Sequence, residues 1–135
     1  MKNEDLVRKA IEAKDLAYAP YSKFKVGAAL LTEDNTLYTG VNIENISFGA
    51  TVCAERTAIF KAVSEGKKKI AKIAIASDDE GFIYPCGICR QVILEFGTPE
   101  TEIICSNAKG EKEIYKLKEL LPKAFNQISR SHSFL

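Results

Sequence analysis

Three cysteines and a glutamate have the types and spacing needed for metal-assisted chemistry. Cys53 stands two residues before Glu55 in the stretch TVCAERTAIF, and the motif PCGIC further along the chain contains Cys86 and Cys89. Three thiolates can occupy three corners of the tetrahedron that zinc prefers. A CxxC pair with an outlying cysteine is a spacing typical of zinc sites. The pattern therefore predicts Zn²⁺ bound by Cys53, Cys86 and Cys89.

Both cysteine clusters are predicted to lie where helices begin. One helix is expected from about Cys53 to Glu65, and a shorter one from about Cys86 to Phe96, with Pro85 favouring a helix start. The positive potential at a helix N-terminus stabilises a thiolate. In a first turn, Cys86 and Cys89 face the same way and can bind one ion together.

The fourth position around the ion separates two kinds of zinc site. A closed structural site needs a fourth protein ligand, for which the chain offers Cys105 or His132, its one histidine. Cys105 lies in the apolar stretch TEIICS, where a thiol packs as a small apolar side chain. A catalytic site leaves the fourth position to water. Glu55 favours the catalytic alternative, since a carboxylate beside that water can take up its proton and pass it on.

Arg56 has a predicted role beside the thiolates. Three thiolates and one Zn²⁺ carry an excess negative charge, which weakens the metal as a Lewis acid. A guanidinium group that donates to the sulfur atoms offsets this charge. The alternative is an ordinary surface arginine, which contributes little.

Composition and charge predict a single cytoplasmic domain. A chain of 135 residues, with 46% hydrophobic and 27% charged residues, suits one compact core. A net charge of +1 argues against nucleic acid as a partner. No apolar run is long enough to cross a bilayer, and the charged N-terminus lacks a signal-peptide core. In the cytoplasm thiols stay reduced and available for metal binding.

Strand and helix patterns alternate along the rest of the chain. Asn3 is predicted to cap a first helix that Pro20 stops, and KELLPKAF is predicted to form a short helical turn. The segments expected to form strands are FKVGAALLT, TLYTGVNI, IAKIAIAS, TEIICS and EKEIYKL. This alternation predicts an α/β fold, a mixed sheet covered by helices.

Longer motifs extend the pattern over most of the chain. They are YAPYSKFKVGAAL, GVNIEN, TVCAERTAIFKAVSEG and PCGICRQVILEF. CAE followed by PCGIC resembles the zinc nucleobase deaminases, with cysteine in place of their histidine ligand. From about Ala17 to Phe125 the chain resembles the small cytidine deaminases. The resemblance implies a single-domain α/β/α sandwich with a mixed five-stranded sheet, a catalytic domain over residues 1–125 and a tail over 126–135.

The resemblance also implies the remaining site residues. Asn42 and Glu44 would hold the ribose hydroxyls, Phe24 would lie against the pyrimidine, and the Ala54 N–H would donate to its 2-carbonyl. From the residues alone, Phe24 would be a core aromatic, and Asn42 and Glu44 would be turn residues.

Two further residues are implied to act around the site. Phe125 would reach the site of a neighbouring subunit in a homotetramer, and Gln91 would support the zinc ligands from behind. From the residues alone, Gln91 could equally be a polar residue on a helix surface. Phe48 stands where many relatives carry tyrosine, which removes a hydroxyl near the subunit contacts.

The implied reaction is hydrolysis of the amino group of cytidine and 2′-deoxycytidine, which gives uridine and 2′-deoxyuridine with release of ammonia in pyrimidine salvage. Zinc-bound hydroxide would attack C4, with Glu55 as the proton shuttle. One alternative is a deaminase of a nucleoside antibiotic of the blasticidin S type. A second is a non-catalytic zinc module that binds a partner or RNA, which predicts a closed metal site.

Overall fold

The structure is a computed structural model that describes residues 1–126. The predictions on His132 and on all of the tail after Asn126 therefore lie outside the described residues. None of the helices within residues 1–126 combines the length and apolar character that crossing a bilayer requires.

Helices and strands alternate through the described part of the chain, as the sequence pattern predicts. In chain order they are α1 (Asn3–Lys14), β1 (Val26–Thr32), β2 (Leu37–Val41), α2 (Ala54–Ser64), β3 (Ile70–Ser77), α3 (Gly87–Phe96), β4 (Glu102–Ser106), β5 (Lys112–Lys116) and α4 (Leu117–Leu120). A single 3₁₀ turn, Phe48–Ala50, precedes α2. Each strand and helix predicted from the sequence is present, with shifts at some ends.

The strands form one mixed sheet. Their order is β2-β1-β3-β4-β5, and the sheet has five strands. Strands β3 and β4 are parallel, whereas the other neighbours are antiparallel. The α/β class and the five-stranded mixed sheet are thereby confirmed. Parallel strands need a crossover, and α3 supplies it between β3 and β4.

Helices cover both faces of this sheet. On one face α1 buries Leu6, Val7 and Ala10 against the central strands. On the other face α2 and α3 pack over a larger apolar cluster that includes Ile59 and Ile93. This arrangement is the three-layer α/β/α sandwich that the resemblance implied.

Two strand glycines let the helices lie directly on the backbone of the sheet. A Cβ at Gly27 would come 2.1 Å from the carbonyl oxygen of Ala10 in α1. A Cβ at Gly40 would come 2.4 Å from the backbone nitrogen of Ala58 and 2.6 Å from the carbonyl oxygen of Ala54, both in α2. Any larger residue at Gly40 would therefore push away the first turns of α2.

The first helix differs from its prediction at both ends. Lys2 occupies the N-cap without a side-chain cap, and Asn3 is the first helical residue. The Asn3 side-chain oxygen instead accepts a hydrogen bond from Lys72 Nζ at 2.8 Å. The helix ends at Lys14, before Pro20, because the chain then extends and the Tyr18 N–H donates to the Asn42 carbonyl oxygen at 3.0 Å. Asn3 as a cap and Pro20 as the stop were therefore wrong.

Candidate active site

The N-termini of α2 and α3 meet on one face of the sheet. Cys53 is the N-cap of α2 and Cys86 is the N-cap of α3. The Cys86 sulfur accepts a hydrogen bond from the Cys89 backbone N–H at 3.5 Å. The fold thus places both cysteine motifs at helix starts, where the helix dipole favours negative charge.

The three sulfur atoms form a compact group of the size that zinc requires. The Sγ atoms of Cys53, Cys86 and Cys89 lie within 4.8 Å of one another, and those of Cys53 and Cys86 are 3.8 Å apart. Zn–S bonds of about 2.3 Å in a tetrahedron separate two sulfurs by about 3.8 Å. The donor set therefore fits Zn²⁺ in both chemistry and dimensions.

Cys105 is not a member of this group. It is fully buried in the apolar cluster beneath α2 and α3, and burial raises the pKa of its thiol to about 12. Such a thiol packs as a small apolar side chain and is a poor metal ligand. One of the two protein ligands considered for a closed site is thereby removed.

Hydrogen bonds localise negative charge on Cys53. Three thiols this close cannot all ionise without a cation among them, because like charges repel. The hydrogen bond from Cys89, together with the Arg56 guanidinium, lowers the pKa of Cys53 to about 5. The same bond and burial raise the pKa of Cys89. Arg56 Nη2 lies 3.6 Å from the Cys53 sulfur, which is the contact predicted for charge compensation.

Glu55 is a buried carboxyl beside the sulfur group. Only 4% of the residue is exposed. Burial raises the pKa of Glu55 to about 7, and the negative charge of Cys53 adds to the effect. A carboxyl held in this way can both accept and release a proton near neutral pH.

A cleft of about 450 Å³ opens over these groups. Phe24, Asn42, Glu44 and Ala54 line it together with Glu55 and two of the cysteines, Cys53 and Cys86. A cavity of this size suits a small molecule such as a nucleoside. Four residues expected to bind a substrate thus line the same cleft as the predicted proton shuttle and two of the predicted zinc ligands.

Comparison with known proteins identifies the family. The family model of the cytidine and deoxycytidylate deaminase zinc-binding region matches residues 1–105. The chain belongs to this family. A cytidine deaminase of Sporosarcina psychrophila is 47% identical over 133 residues, which are 98% of this chain and 98% of that relative. A cytidine deaminase of Halalkalibacterium halodurans is 46% identical over 125 residues, which cover 93% and 95% of the two chains.

Solved structures of cytidine deaminases share the fold. The crystal structure of the cytidine deaminase from Burkholderia pseudomallei has a TM-score of 0.89 at 45% identity, and the match covers 93% of this chain and all 100% of that one. The cytidine deaminase from Mycobacterium tuberculosis has a TM-score of 0.82 at 38% identity, with 93% and 98% covered. The resemblance noted in the sequence is therefore confirmed.

In this member of the cytidine deaminase family, one end of the cleft is built from polar side chains with several partners. Asn42 is 8% exposed; its Nδ2 donates to the Phe24 carbonyl at 2.8 Å and its Oδ1 accepts from the Val26 N–H at 2.9 Å. Glu44 Oε1 accepts from the N–H groups of Tyr21 at 3.0 Å and Ser22 at 3.1 Å. The Ser22 hydroxyl donates to Glu44 Oε2, and this hydrogen bond lowers the pKa of Glu44.

Arg56, Gln91 and Phe125 are not among the residues that line the cleft of this deaminase-family chain. Gln91 Nε2 donates to the Phe125 carbonyl at 2.8 Å, which ties α3 to the segment after α4. Phe125 is 71% exposed on the surface of the single chain. The role of Gln91 beside the zinc ligands thus stays a prediction, and so does the role of Phe125, which depends on a neighbouring subunit.

Ser22 and Tyr84 are among the cleft residues of this deaminase-family chain that the sequence reasoning did not single out. Ser22 lies inside the motif YAPYSKFKVGAAL, so its position was marked, but its hydrogen-bond partner Glu44 is a tertiary neighbour. Tyr84 lines the cleft, and its hydroxyl donates to Glu113 of β5 at 2.8 Å. That bond raises the pKa of Tyr84 to about 12. No local signal links Tyr84 to β5.

Proposed function

We propose that the protein hydrolyses the amino group of cytidine and 2′-deoxycytidine, releasing ammonia and uridine or 2′-deoxyuridine, with Zn²⁺ as cofactor. One observation carries the proposal: three sulfurs lie at zinc spacing, and two of their cysteines line one nucleoside-sized cleft together with the buried Glu55. The names of the relatives support the same substrate, since they are cytidine deaminases.

Cys53, Cys86 and Cys89 would hold the metal. Bound zinc lowers the pKa of a coordinated water and so supplies a nucleophile at neutral pH. Arg56, 3.6 Å from the Cys53 sulfur, offsets the excess negative charge of three thiolates.

Glu55 moves the protons of the reaction. It takes a proton from the attacking water and delivers it to N3 of the base, which makes C4 electrophilic. A C–O bond forms at C4. Glu55 then carries the second water proton to the amino group, the C4–N bond breaks, and ammonia leaves. The carboxyl ends each cycle in the state in which it began, so it acts as a shuttle.

The remaining cleft residues orient the nucleoside. The first N–H groups of a helix have no intrahelical partner, so the Ala54 N–H at the start of α2 is free to donate to the 2-carbonyl. Phe24 offers an aromatic face to the pyrimidine. Asn42 and Glu44 take the sugar hydroxyls with the hydrogen-bonding positions that their protein partners leave open.

The direct test is ammonia release from cytidine, measured in parallel with metal content. We expect turnover together with one zinc per subunit. Protein that binds zinc fully but releases no ammonia from cytidine or deoxycytidine would overturn the proposal. That outcome would favour the non-catalytic zinc module, which the burial of Cys105 in the apolar core argues against.

A nucleoside antibiotic of the blasticidin S type is the second candidate substrate, because such deaminases share CAE and PCGxCRQ. The motifs NIEN and AERTAIFKAVSEG favour the plain nucleoside. A spectroscopic assay with cytidine and the antibiotic side by side decides between them through the ratio of kcat/KM.

We also propose a homotetramer in which neighbouring subunits complete each site. Large apolar side chains on the surface of the single chain support this, because their burial in a subunit contact would be favourable. Examples are Ile46 at 81% exposure, Phe48 at 77% and Phe125 at 71%. Sedimentation should give four subunits per particle, and an active monomer would contradict the proposal.

Shared sites can be tested by mixing two variants. Phe125→Ala and Glu55→Gln should each be poorly active alone. In mixed tetramers, a Phe125→Ala subunit supplies Glu55 while a Glu55→Gln neighbour supplies Phe125, so activity should recover. No recovery, with mixed tetramers verified by mass spectrometry, would mean that each site uses its own Phe125.

A cytoplasmic role in pyrimidine salvage follows from the same proposal. A free nucleoside as substrate agrees with a net charge of +1, which gives little attraction to polynucleotides. Thiolate ligands need a reducing compartment. Cell fractionation with a zinc-loaded activity assay tests the location.

A further inference from the structure

Residues 21–24 contribute Ser22 and Phe24 to the lining of the cleft and are held by hydrogen bonds that the proposed reaction does not use. Glu44 Oε1 accepts from the N–H groups of Tyr21 and Ser22, and the Ser22 hydroxyl donates to Glu44 Oε2. The same hydroxyl oxygen accepts from the Phe24 N–H at 3.0 Å. These four residues, Tyr21, Ser22, Phe24 and Glu44, form what we call the Ser22 network.

The backbone of this segment has one residue in an unfavourable conformation. Lys23 has a φ of 62°, in the left-handed region that is unfavourable for a residue with a Cβ. The Lys23 N–H donates to the Ala19 carbonyl oxygen at 3.0 Å, and contacts on either side of Lys23 stabilise the conformation further. The Ser22 network holds one side, and Asn42 holds the other through the Phe24 carbonyl and the Val26 N–H.

The network also fixes Glu44. An ionised carboxylate offers about four acceptor positions. The Tyr21 and Ser22 N–H groups and the Ser22 hydroxyl occupy three of them. The carboxylate is thus oriented before any ligand arrives, with one position left for a sugar hydroxyl. Orientation in advance lowers the entropy lost on binding.

We propose that Ser22 is a positioning residue that connects the two ends of the cleft. Its hydroxyl donates to Glu44, which receives the sugar, and accepts from the backbone of Phe24, which carries the aromatic face for the base. Correct placement of the sugar therefore depends on the same hydroxyl as correct placement of the base. This inference rests on the proposed function.

The kinetic test compares Ser22→Ala with Ser22→Thr. Alanine removes a charge-assisted hydrogen bond to Glu44 and leaves the Phe24 N–H unpaired, so KM for cytidine should rise about tenfold. We expect kcat to change by less than about threefold, because sugar and base contacts act on ground state and transition state alike. Threonine keeps a hydroxyl and should recover most of the loss. Unchanged KM in Ser22→Ala, or no recovery with threonine, would overturn the proposal.

A matched control and a double variant separate positioning from general destabilisation. The exposed Ser64 hydroxyl donates one hydrogen bond, to the Lys61 carbonyl at 2.9 Å, and Ser64→Ala should leave KM unchanged. Because Ser22 acts partly through Glu44, the loss in the variant Ser22→Ala/Glu44→Gln should be smaller than the sum of the two single losses. Fully additive losses would contradict the proposal.

Amide hydrogen exchange tests the network without any turnover. In the zinc-loaded protein the Tyr21, Ser22 and Phe24 amides should exchange slowly. Ser22→Ala should accelerate exchange at Phe24 by about tenfold or more, and Ser64→Ala should not. Equal exchange in all three proteins would overturn the network even if cytidine is deaminated. If the wild type deaminates nothing, the proposed function fails, while the exchange data still decide whether the network exists.

Discussion

The helices α2 and α3 begin alike and then differ within one turn. Each has a cysteine at its N-cap, Cys53 in α2 and Cys86 in α3. Two residues later α2 carries Glu55, which is 4% exposed, whereas α3 carries Ile88, which is 62% exposed. Three residues after the cap, α2 carries Arg56 and α3 carries a second sulfur ligand, Cys89.

This difference separates two tasks that a helix N-terminus can perform. The start of α3 is a chelate, because residues three apart in a first turn face the same ion. The start of α2 supplies one sulfur and adds a buried acid and a counter-charge around it. Metal binding is thus shared by both helices, while proton transfer and charge compensation belong to α2.

The largest expected effect comes from opening the chelate. Cys86→Ala leaves two sulfurs, so the protein should lose its zinc and all measurable deaminase activity. The matched control Cys105→Ala removes a buried thiol outside the sulfur group and should keep zinc, at a cost of about 1 kcal/mol in the free energy of unfolding. Metal analysis and thermal unfolding measure both. Full zinc occupancy in Cys86→Ala would remove Cys86 from the ligand set.

The next effect separates chemistry from binding at α2. Glu55→Gln keeps the shape of the side chain but cannot shuttle protons, so kcat should fall about 10³-fold with zinc retained. Glu95→Gln makes the same change on the exposed surface of α3 and should leave kcat unaltered. Single-turnover assays and metal analysis give the comparison. Substantial turnover by Glu55→Gln would assign the proton transfers to another group.

The two arginines of these helices should differ in what they support. Arg56 contacts the Cys53 sulfur, whereas Arg90 donates to the carbonyl oxygens of Pro85 and Leu120, both at 2.7 Å. Arg56→Gln should weaken zinc binding by about tenfold. Arg90→Gln should instead lower the free energy of unfolding by about 1–3 kcal/mol. Zinc competition with a chelator and denaturant titration distinguish them, and equal zinc affinity in wild type and Arg56→Gln would refute charge compensation.

The smallest effect concerns the first helical residue. It is Ala54 in α2 and Gly87 in α3. A Cβ at Gly87 meets nothing within 4 Å, so Gly87→Ala should raise the free energy of unfolding by about 0.4–1 kcal/mol. Calorimetry of the zinc-loaded protein measures the change. A clear loss of stability would mean that a neighbouring subunit fills the space beside Gly87.

The sequence predicted those features whose cause is local or whose motif is long. The sulfur group could be foreseen because a helix start, a CxxC spacing and an adjacent acid each have a local signature. The predicted cap and stop of α1 were wrong because contacts with residues distant in the chain affect both ends of this helix. Lys72 binds the Asn3 side chain, and Tyr18 pairs with the segment after β2.

The cleft itself was only partly foreseeable. Phe24, Asn42 and Glu44 were named through the family motifs, but the hydrogen bonds that hold them were not. Ser22 with Glu44, and Tyr84 with Glu113, join segments far apart in the chain. Neither periodicity nor propensity carries information on such pairs, so only the assembled sheet brings them together.

Gly40 affects the chemistry although it belongs neither to the sulfur group nor to the residues that line the cleft. Its bare α-carbon allows the carbonyl of Ala54 and the nitrogen of Ala58 to rest against strand β2. A single added methyl group would lift the front of that helix from the sheet and carry Cys53 and Glu55 with it. The positions of Cys53 and Glu55 therefore depend on a strand residue that has no side chain.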